Sequence, residues 1–308
     1  MDFRANSPRG GVWKRAVLGA VLSLPLFAGG VASPALADDA TKVDTSRVVS
    51  VGGALTEVIY ALGEEGRLVA RDQTSTYPEA ALKLQDVGYV RALSPEGVLA
   101  VNPTAIIAIE GAGPPETLAV LKEAKVPFHT VPDTFDRDGI LGKIRAVGAF
   151  LGVEDKAKAL EDKVAGELDA AVADAASRPE AERKRVMFLL SIQGGKVLAS
   201  GTGTAADGML KLAGVVNAFG DFPGYKPVTD EAIIEAKPDV ILMMARGGNN
   251  DTSAEEVFAN PAIALTPAAA SKALVSMDGL HLLGFGPRTA SAVKELNAAI
   301  YGQANGTE

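Results

Sequence analysis

Two histidines, His129 and His281, and no cysteine leave this 308-residue chain without donors for a thiolate or histidine-rich metal centre, a disulfide, an iron–sulfur cluster or a Cys–His nucleophile. Neither a Walker A loop nor a serine nucleophile elbow occurs. The run GTGTAADG at 201–208 matches a phosphate-binding glycine loop only over its first residues and reads better as a loop leading into a helix. His129 lies in the apolar run VPFHTVP and reads as structural; His281 precedes Leu282-Leu283. What remains is oxygen chemistry. A tyrosinate is an anionic donor suited to ferric iron, and a ferric centre lowers the phenol pKa from ~10 far enough for binding at neutral pH. Tyr77 is the candidate, because Pro78 fixes its turn and it lies past the end of a strand, where α/β folds bind ligands. A Tyr-Pro turn taken alone reads first as a packing feature.

The elements that would position Tyr77 are written twice. Residues 94–107, SPEGVLAVNPTAII, repeat as residues 229–242, TDEAIIEAKPDVIL. Ser94 matches Thr229, Glu96 matches Glu231, and Pro103 matches Pro238. Each copy has an N-cap hydroxyl, an acid in the first turn, a short apolar helix, an X-Pro stop and a β-branched strand. More loosely, strand Val48–Val51 and helix Thr56–Leu62 correspond to strand Val186–Leu190 and helix Asp207–Ala213, with Gly63 and Gly214 as stops. The second half gains a Gln193-Gly194-Gly195 turn, and both halves then place a tyrosine in a comparable loop, Tyr77 and Tyr225. Between them, apolar residues recur at helical spacing from Asp138 to Ser177, with Gly152 as the candidate break and Arg178-Pro179 as the end. The expected fold is α/β: two Rossmann-like lobes with mostly parallel sheets, joined by a long inter-lobe helix, with a ligand cleft between them.

Composition narrows the class. With 47% hydrophobic and 22% charged residues the chain can build proper cores. A net charge of −8 argues against general attraction to nucleic acid or anionic lipid. Four basic residues, Arg4, Arg9, Lys14 and Arg15, precede an uncharged run from Ala16 to Ala32, then Ala35-Leu36-Ala37. That pattern is expected to be a signal peptide, residues 1–37, cleaved after Ala37; the run is too short and too broken by Ser23, Pro25 and Gly29-Gly30 for a membrane span. Losing those four cations and Asp2 takes the net charge from −8 to −11. A cysteine-free, unlipidated, acidic exported protein fits a bacterial periplasm. The expected layout is therefore a signal peptide at 1–37, an N-terminal lobe at 38–136, a linking helix at 137–178 and a C-terminal lobe at 179–308.

Three segments, STYPEAALKLQDVGYVRALSPEGVLAVNP (75–103), GYKPVTDEAIIEAKPD (224–239) and LLGFGPRT (282–289), resemble the periplasmic haem-binding proteins of bacterial haem ABC importers. The resemblance runs from about Arg47 to Tyr301. Its two-lobed features are shared with siderophore and cobalamin binders, whereas the Tyr-Pro segment followed by VGYVRALSPEG is more specific to haem. It implies that Tyr77 is the axial ligand to ferric haem held between the lobes, and that Glu96 and Glu231 dock on the two subunits of an inner-membrane permease driven by a cytoplasmic ATPase. Like charges on two pseudo-symmetric lobes suit a two-fold receptor; each glutamate also complements its own helix N-terminus, worth ~0.3–1 kcal/mol. An outer-membrane haem receptor system would act upstream, and a monomer is expected.

A haem pocket needs an apolar lining, a group steadying the phenolate and cations for two propionates. Arg246, after strand Val240–Met243, is the candidate donor to Tyr77 or a propionate; Tyr225 would stack on or bond to haem from the opposite lobe; Arg91 would meet a propionate or cap the preceding turn. Met243, Met244, Phe219, Phe222 and Phe285 are candidate walls. Two departures from the family bear on the ligand. Glu79 stands where some relatives carry a basic residue, and Gln193 stands where relatives with a second ligand carry histidine, so one five-coordinate haem is expected. No acid–base pair suggests turnover, so the chain reads as a binder and not an enzyme. A ferric-siderophore or corrinoid carrier is the alternative.

Overall fold

The computed structural model describes residues 43–245 and 252–302. The expected signal peptide and Arg246 lie outside them. In chain order the first half contains β1 Val48–Val51, α1 Gly53–Ala61, β2 Leu68–Arg71, β3 Gln85–Asp86, β4 Gly88–Tyr89, β5 Ala92–Leu93, α2 Pro95–Leu99, β6 Ala105–Ile109, α3 Pro115–Glu123 and β7 Phe128–Val131. Helices α4 Arg137–Leu151 and α5 Glu154–Ala176 follow. The second half contains β8 Arg185–Gln193, β9 Lys196–Ser200, α6 Ala205–Leu212, β10 Val216–Asn217, β11 Tyr225–Val228, α7 Asp230–Ala236, β12 Val240–Ala245, α8 Ala254–Ala259, α9 Pro267–Ala270, β13 Leu274–Asp278, α10 Gly279–Leu283 and α11 Thr289–Tyr301.

Among the described residues two large sheets result, ordered β3-β2-β1-β6-β7 and β11-β9-β8-β12-β13 with β10 also paired to β8, while β4 and β5 form a separate two-stranded sheet. The first is parallel throughout; the second is parallel at β8-β12-β13 and antiparallel where the β8–β9 hairpin and β11 join it. Central strands are buried on both faces with a period of two. Val48 and Ile107 face one core and Val49, Val51, Ile106 and Ala108 another; Val186, Phe188, Val240 and Leu242 face the first of these, while Met187, Leu189, Ile241 and Met243 face a third. The core between the two sheets is continuous through the apolar faces of α4 and α5.

The repeated unit is present in both halves. Ser94 caps α2 by accepting from the Gly97 N–H at 3.0 Å, and Thr229 caps α7 by accepting from the Ala232 N–H at 3.3 Å; β6 and β12 then occupy the same place in their sheets. Gly63 and Gly214 follow α1 and α6 with φ of 69° and 64°, the left-handed stop a glycine accepts without a Cβ penalty.

The spacer departs from the single long helix. Gly152, at φ 67°, ends α4, and α5 runs back along it: Gly148 packs against Ala157, Arg145 pairs with Glu161 at 2.7 Å, and Arg137 pairs with Asp169 at 2.6 Å. These partners are those of an antiparallel hairpin, because the sequence positions converge on the turn. The longer arm, α5, has 23 residues.

Candidate functional site

A cleft of about 790 Å³ opens at the C-terminal ends of β1, β2, β6, β7, β12 and β13, the edge at which open α/β sheets bind ligands. The first half contributes Gly52, Gly53, Thr74, Thr76, Tyr89 and Arg91; the second contributes Tyr225, Met244, Leu280 and Leu283. A separate cavity of about 500 Å³ between α5 and α11 holds none of the residues singled out from the sequence.

At the cleft floor, α1 begins at a pair of glycines with no capping side chain of its own. A Cβ at Gly53 would stand 2.4 Å from the Thr74 carbonyl oxygen and 2.5 Å from Leu280 Cδ1, so the two halves approach here only because residue 53 is glycine. Two N–H groups at the start of α1 are taken up by the loop after β2: Gly52 donates to Asp72 Oδ1 at 2.9 Å and Gly53 to Thr74 Oγ1 at 3.0 Å. Asp72 is fully buried and also accepts from Ser75 Oγ at 2.8 Å, from the Thr74 N–H at 2.9 Å and from Thr74 Oγ1 at 2.7 Å. Thr56 Oγ1 lies 2.7 Å from Ser75 Oγ. This network fixes residues 72–76, and Tyr77 is the next residue.

Tyr77 is 43% exposed and follows the lining residue Thr76; its own side chain is not among those lining the cleft. Arg91 and Tyr225 both line it, from opposite halves. No ion pair engages Arg91 among the described residues. Burial pushes the Tyr225 phenol above its usual range, opposed in part by hydrogen bonding to Thr204 and the Ala206 backbone and by the positive charge of Arg91. Tyr225 opens strand β11 and packs its ring 6.3 Å from Phe188, so it is not in a loop equivalent to that of Tyr77. The carboxylates at the cleft wall are already engaged. Asp133 binds the buried Lys143 at 2.7 Å, and Asp278 accepts from the His281 N–H at 2.8 Å.

Of the five apolar wall candidates only Met244 lines the cleft. Met243, Phe219 and Phe285 are core residues, and Phe222 packs on Phe219 with ring centroids 5.8 Å apart. Gln193 ends β8, exposed and away from the cleft. His129 is exposed on β7 and stacks on Phe150 at 5.7 Å. Glu96 and Glu231 are both exposed in the first turns of α2 and α7. Glu231 is held below the usual carboxylate range by its own backbone N–H and the Thr229 hydroxyl. The 201–208 run leads into α6, capped by Thr204, which accepts from the Asp207 N–H at 3.0 Å.

A family profile described as "Periplasmic binding protein" matches residues 48–279. The chain belongs to the periplasmic binding protein family. Among solved structures, this periplasmic binding protein is similar to the periplasmic heme-binding protein BhuT in complex with two hemes, at 40% identity and TM-score 0.78, covering 82% of this chain and 97% of that one. It is similar also to the periplasmic heme-binding protein RhuT from Roseiflexus sp. RS-1 in apo form, at 38% identity and TM-score 0.80, covering 85% of this chain and 100% of that one. Among curated relatives, the vitamin B12-binding protein of Pectobacterium carotovorum subsp. carotovorum (strain PC1) is 26% identical over 239 residues, 77% of this chain and 84% of its own length.

Sequence reasoning passed over three residues that this binding protein places at the site. Tyr89, 43% exposed, lines the cleft from the β4–β5 hairpin, which Val87, Val90 and Leu93 anchor in the core. Glu57 and Arg288 meet across the two halves, with Arg288 Nη2 donating to Glu57 Oε2 at 3.0 Å, and the Arg288 guanidinium carbon lies 3.5 Å from the Tyr77 ring centroid. One signal was available: Glu57 is the only charge between Arg47 and Glu64, inside an apolar helix, and a carboxylate there demands a partner.

Proposed function

We propose that the chain captures ferric haem in this cleft, with Tyr77 as axial ligand, and delivers it to an inner-membrane ABC permease. The observation that carries the reading is the identity of 38–40% to two haem-binding proteins over more than four-fifths of the chain, combined with an exposed Tyr77 at the cleft edge. Arg91, a cation outside every ion pair of the described residues, would meet a propionate, and Tyr225 and Arg246 would complete the pocket. Residues 38–136 and 179–308 would act as the two lobes. The donor set suits the iron chemically: a phenolate supplies charge to ferric iron, and a largely apolar wall from Met244, Leu280 and Leu283 suits a macrocycle.

The test is a haem titration of the tag-free protein, followed by absorbance, beside Tyr77→Phe with its fold checked by circular dichroism. The wild type is expected to saturate near one haem with a phenolate-type ferric spectrum, and Tyr77→Phe to lose that spectrum while folded. Saturation at two haems would follow BhuT instead. An unchanged spectrum in Tyr77→Phe removes Tyr77 as ligand. Failure of the wild type to bind haem, with retention of a corrinoid or ferric siderophore, selects the carrier type of the B12-binding relatives.

Delivery rests on Glu96 and Glu231. They are exposed, carry equivalent caps and sit on the two halves, as a two-fold permease would require. Reversing both to lysine should abolish stimulation of the permease's ATPase in proteoliposomes while haem affinity stays within twofold. Equal stimulation by the double variant would remove the docking role. Release into the periplasm after cleavage at Ala37, binding without turnover and a monomeric state belong to the same proposal.

A further inference from the structure

Arg288 ties the exposed tyrosine to both halves of the molecule. It precedes α11, in the LLGFGPRT segment. Its backbone N–H donates to Glu57 Oε1 at 3.1 Å, its Nη2 to Glu57 Oε2 at 3.0 Å, and its Nη1 lies 3.2 Å from His281 Nδ1. Glu57, on α1, is 4% exposed, and His281 is held in turn at 3.2 Å from Glu295. The guanidinium edge is thus fixed by both halves, and its carbon stands 3.5 Å from the Tyr77 ring centroid. Arg288 Nε is buried without an acceptor, so the fold leaves a donor unpaired to keep the group in this place.

We propose that Arg288 is a positioning residue for Tyr77: anchored by Glu57 and His281, it covers one face of the phenol ring and sets the plane in which the oxygen meets a ligand's iron. The proposal rests on the reading of Tyr77 as the ligand. A planar guanidinium can hydrogen-bond at its edge while stacking on a ring, which an ammonium cannot do. The stack is attractive toward the neutral ring and more so toward a phenolate. A tyrosine 43% exposed would otherwise be free to change rotamer. The competing role is a latch between the halves with Tyr77 a bystander.

Two readouts on the whole exported chain separate these roles, using Arg288→Gln, Arg288→Lys and Glu57→Gln. In ligand-free protein carrying ring-labelled tyrosine, with the five tyrosines assigned by single phenylalanine substitutions, Arg288→Gln and Glu57→Gln should shift the Tyr77 ring signals and leave those of Tyr89 and Tyr225 in place. With ferric haem, Arg288→Gln should bind about 10–100-fold more weakly, the usual effect of losing a group that orients a ligand, and displace the iron–phenolate stretch in resonance Raman spectra. Arg288→Lys should not restore that band. Lower thermal stability with Tyr77 signals and band unmoved means a latch alone and overturns the proposal. If Arg288→Gln does not fold, the milder Glu57→Gln, which keeps an acceptor for Arg288, decides by the same two signals. If haem does not bind at all, or Tyr77→Phe retains the band, the ligand reading fails, and the ligand-free ring signals still decide whether Arg288 positions Tyr77.

Discussion

In the first half of the molecule Tyr77, next to the lining residue Thr76, sits on a loop, whereas in the second half the cleft-lining Tyr225 sits on a strand. Tyr225 opens β11, whose antiparallel pairing with β9 fixes its backbone by ladder hydrogen bonds. Tyr77 has no ladder; its loop is gathered by the carboxylate of Asp72. The difference starts at the helix before each tyrosine. Helix α6 caps itself, with Thr204 accepting from Asp207 and Asp207 accepting from the Gly203 N–H at 3.0 Å. Helix α1 cannot, because Gly52 must stay bare against Ile109 and Gly53 against Thr74 and Leu280, so it takes its acceptors from the loop after β2. The bare helix start and the tyrosine loop are thereby one structure. The halves share their α2–β6 and α7–β12 units and differ where a ligand would lie.

The largest expected break in this comparison is Asp72→Ala. It strips four donors, two of them fully buried, of their acceptor, and a loss of about 3–5 kcal/mol is expected in urea unfolding, since unpaired buried donors cost more than the bonds themselves. A loss under about 1 kcal/mol would mean the loop holds by other contacts. Next is Gly53→Ala, whose Cβ meets a carbonyl oxygen and Leu280 within 2.5 Å. It should cost about 1–3 kcal/mol and weaken ligand binding by spreading the cleft floor, read by thermal melting and titration. Ser94→Ala and Thr229→Ala sharpen the comparison from the other side: each removes one N-cap bond, so both should cost about 1 kcal/mol and agree with each other within a few tenths.

The smallest effect concerns acid. Burial pushes the Asp207 carboxyl up, but hydrogen bonds from Lys211, Asn217 and the Gly203 N–H, with the Lys211 charge, more than offset it and leave the group below the usual carboxylate range. A carboxyl depressed in the folded state binds its proton more readily when unfolded. Its contribution is therefore full above the unfolded value of ~3.9 and lost as pH falls through the lower folded value. Between pH 6 and pH 3 the urea midpoint of the wild type should fall further than that of Asp207→Asn. Equal falls would show that this carboxylate is not coupled to folding.

Much of this arrangement was legible along the chain. The N-caps Ser94 and Thr229, the stops Gly63 and Gly214 and the Gly194-Gly195 turn are local signals, readable because capping and left-handed turns involve neighbours within four residues. Gly152 marked the break in the spacer, yet nothing in the periodicity said that α5 would fold back on α4, because a helical stripe is the same whether its partner is upstream, downstream or itself. The wall candidates failed for a similar reason: Phe219, Phe285 and Met243 are apolar, and apolarity alone does not distinguish a core from a cleft.

The sequence by itself determined the duplicated α/β unit, the paired glutamates Glu96 and Glu231, and Tyr77 as the one tyrosine on a proline-fixed turn past a strand, since each is written in adjacent residue types. Only the tertiary structure decided what holds Tyr77. Glu57 and Arg288 are 231 positions apart, and Asp72 is 20 from the Gly52 N–H it accepts. Such pairs exist because topology brings the C-terminal ends of several strands to one edge, where a buried charge or an open helix end must find whatever partner the fold delivers.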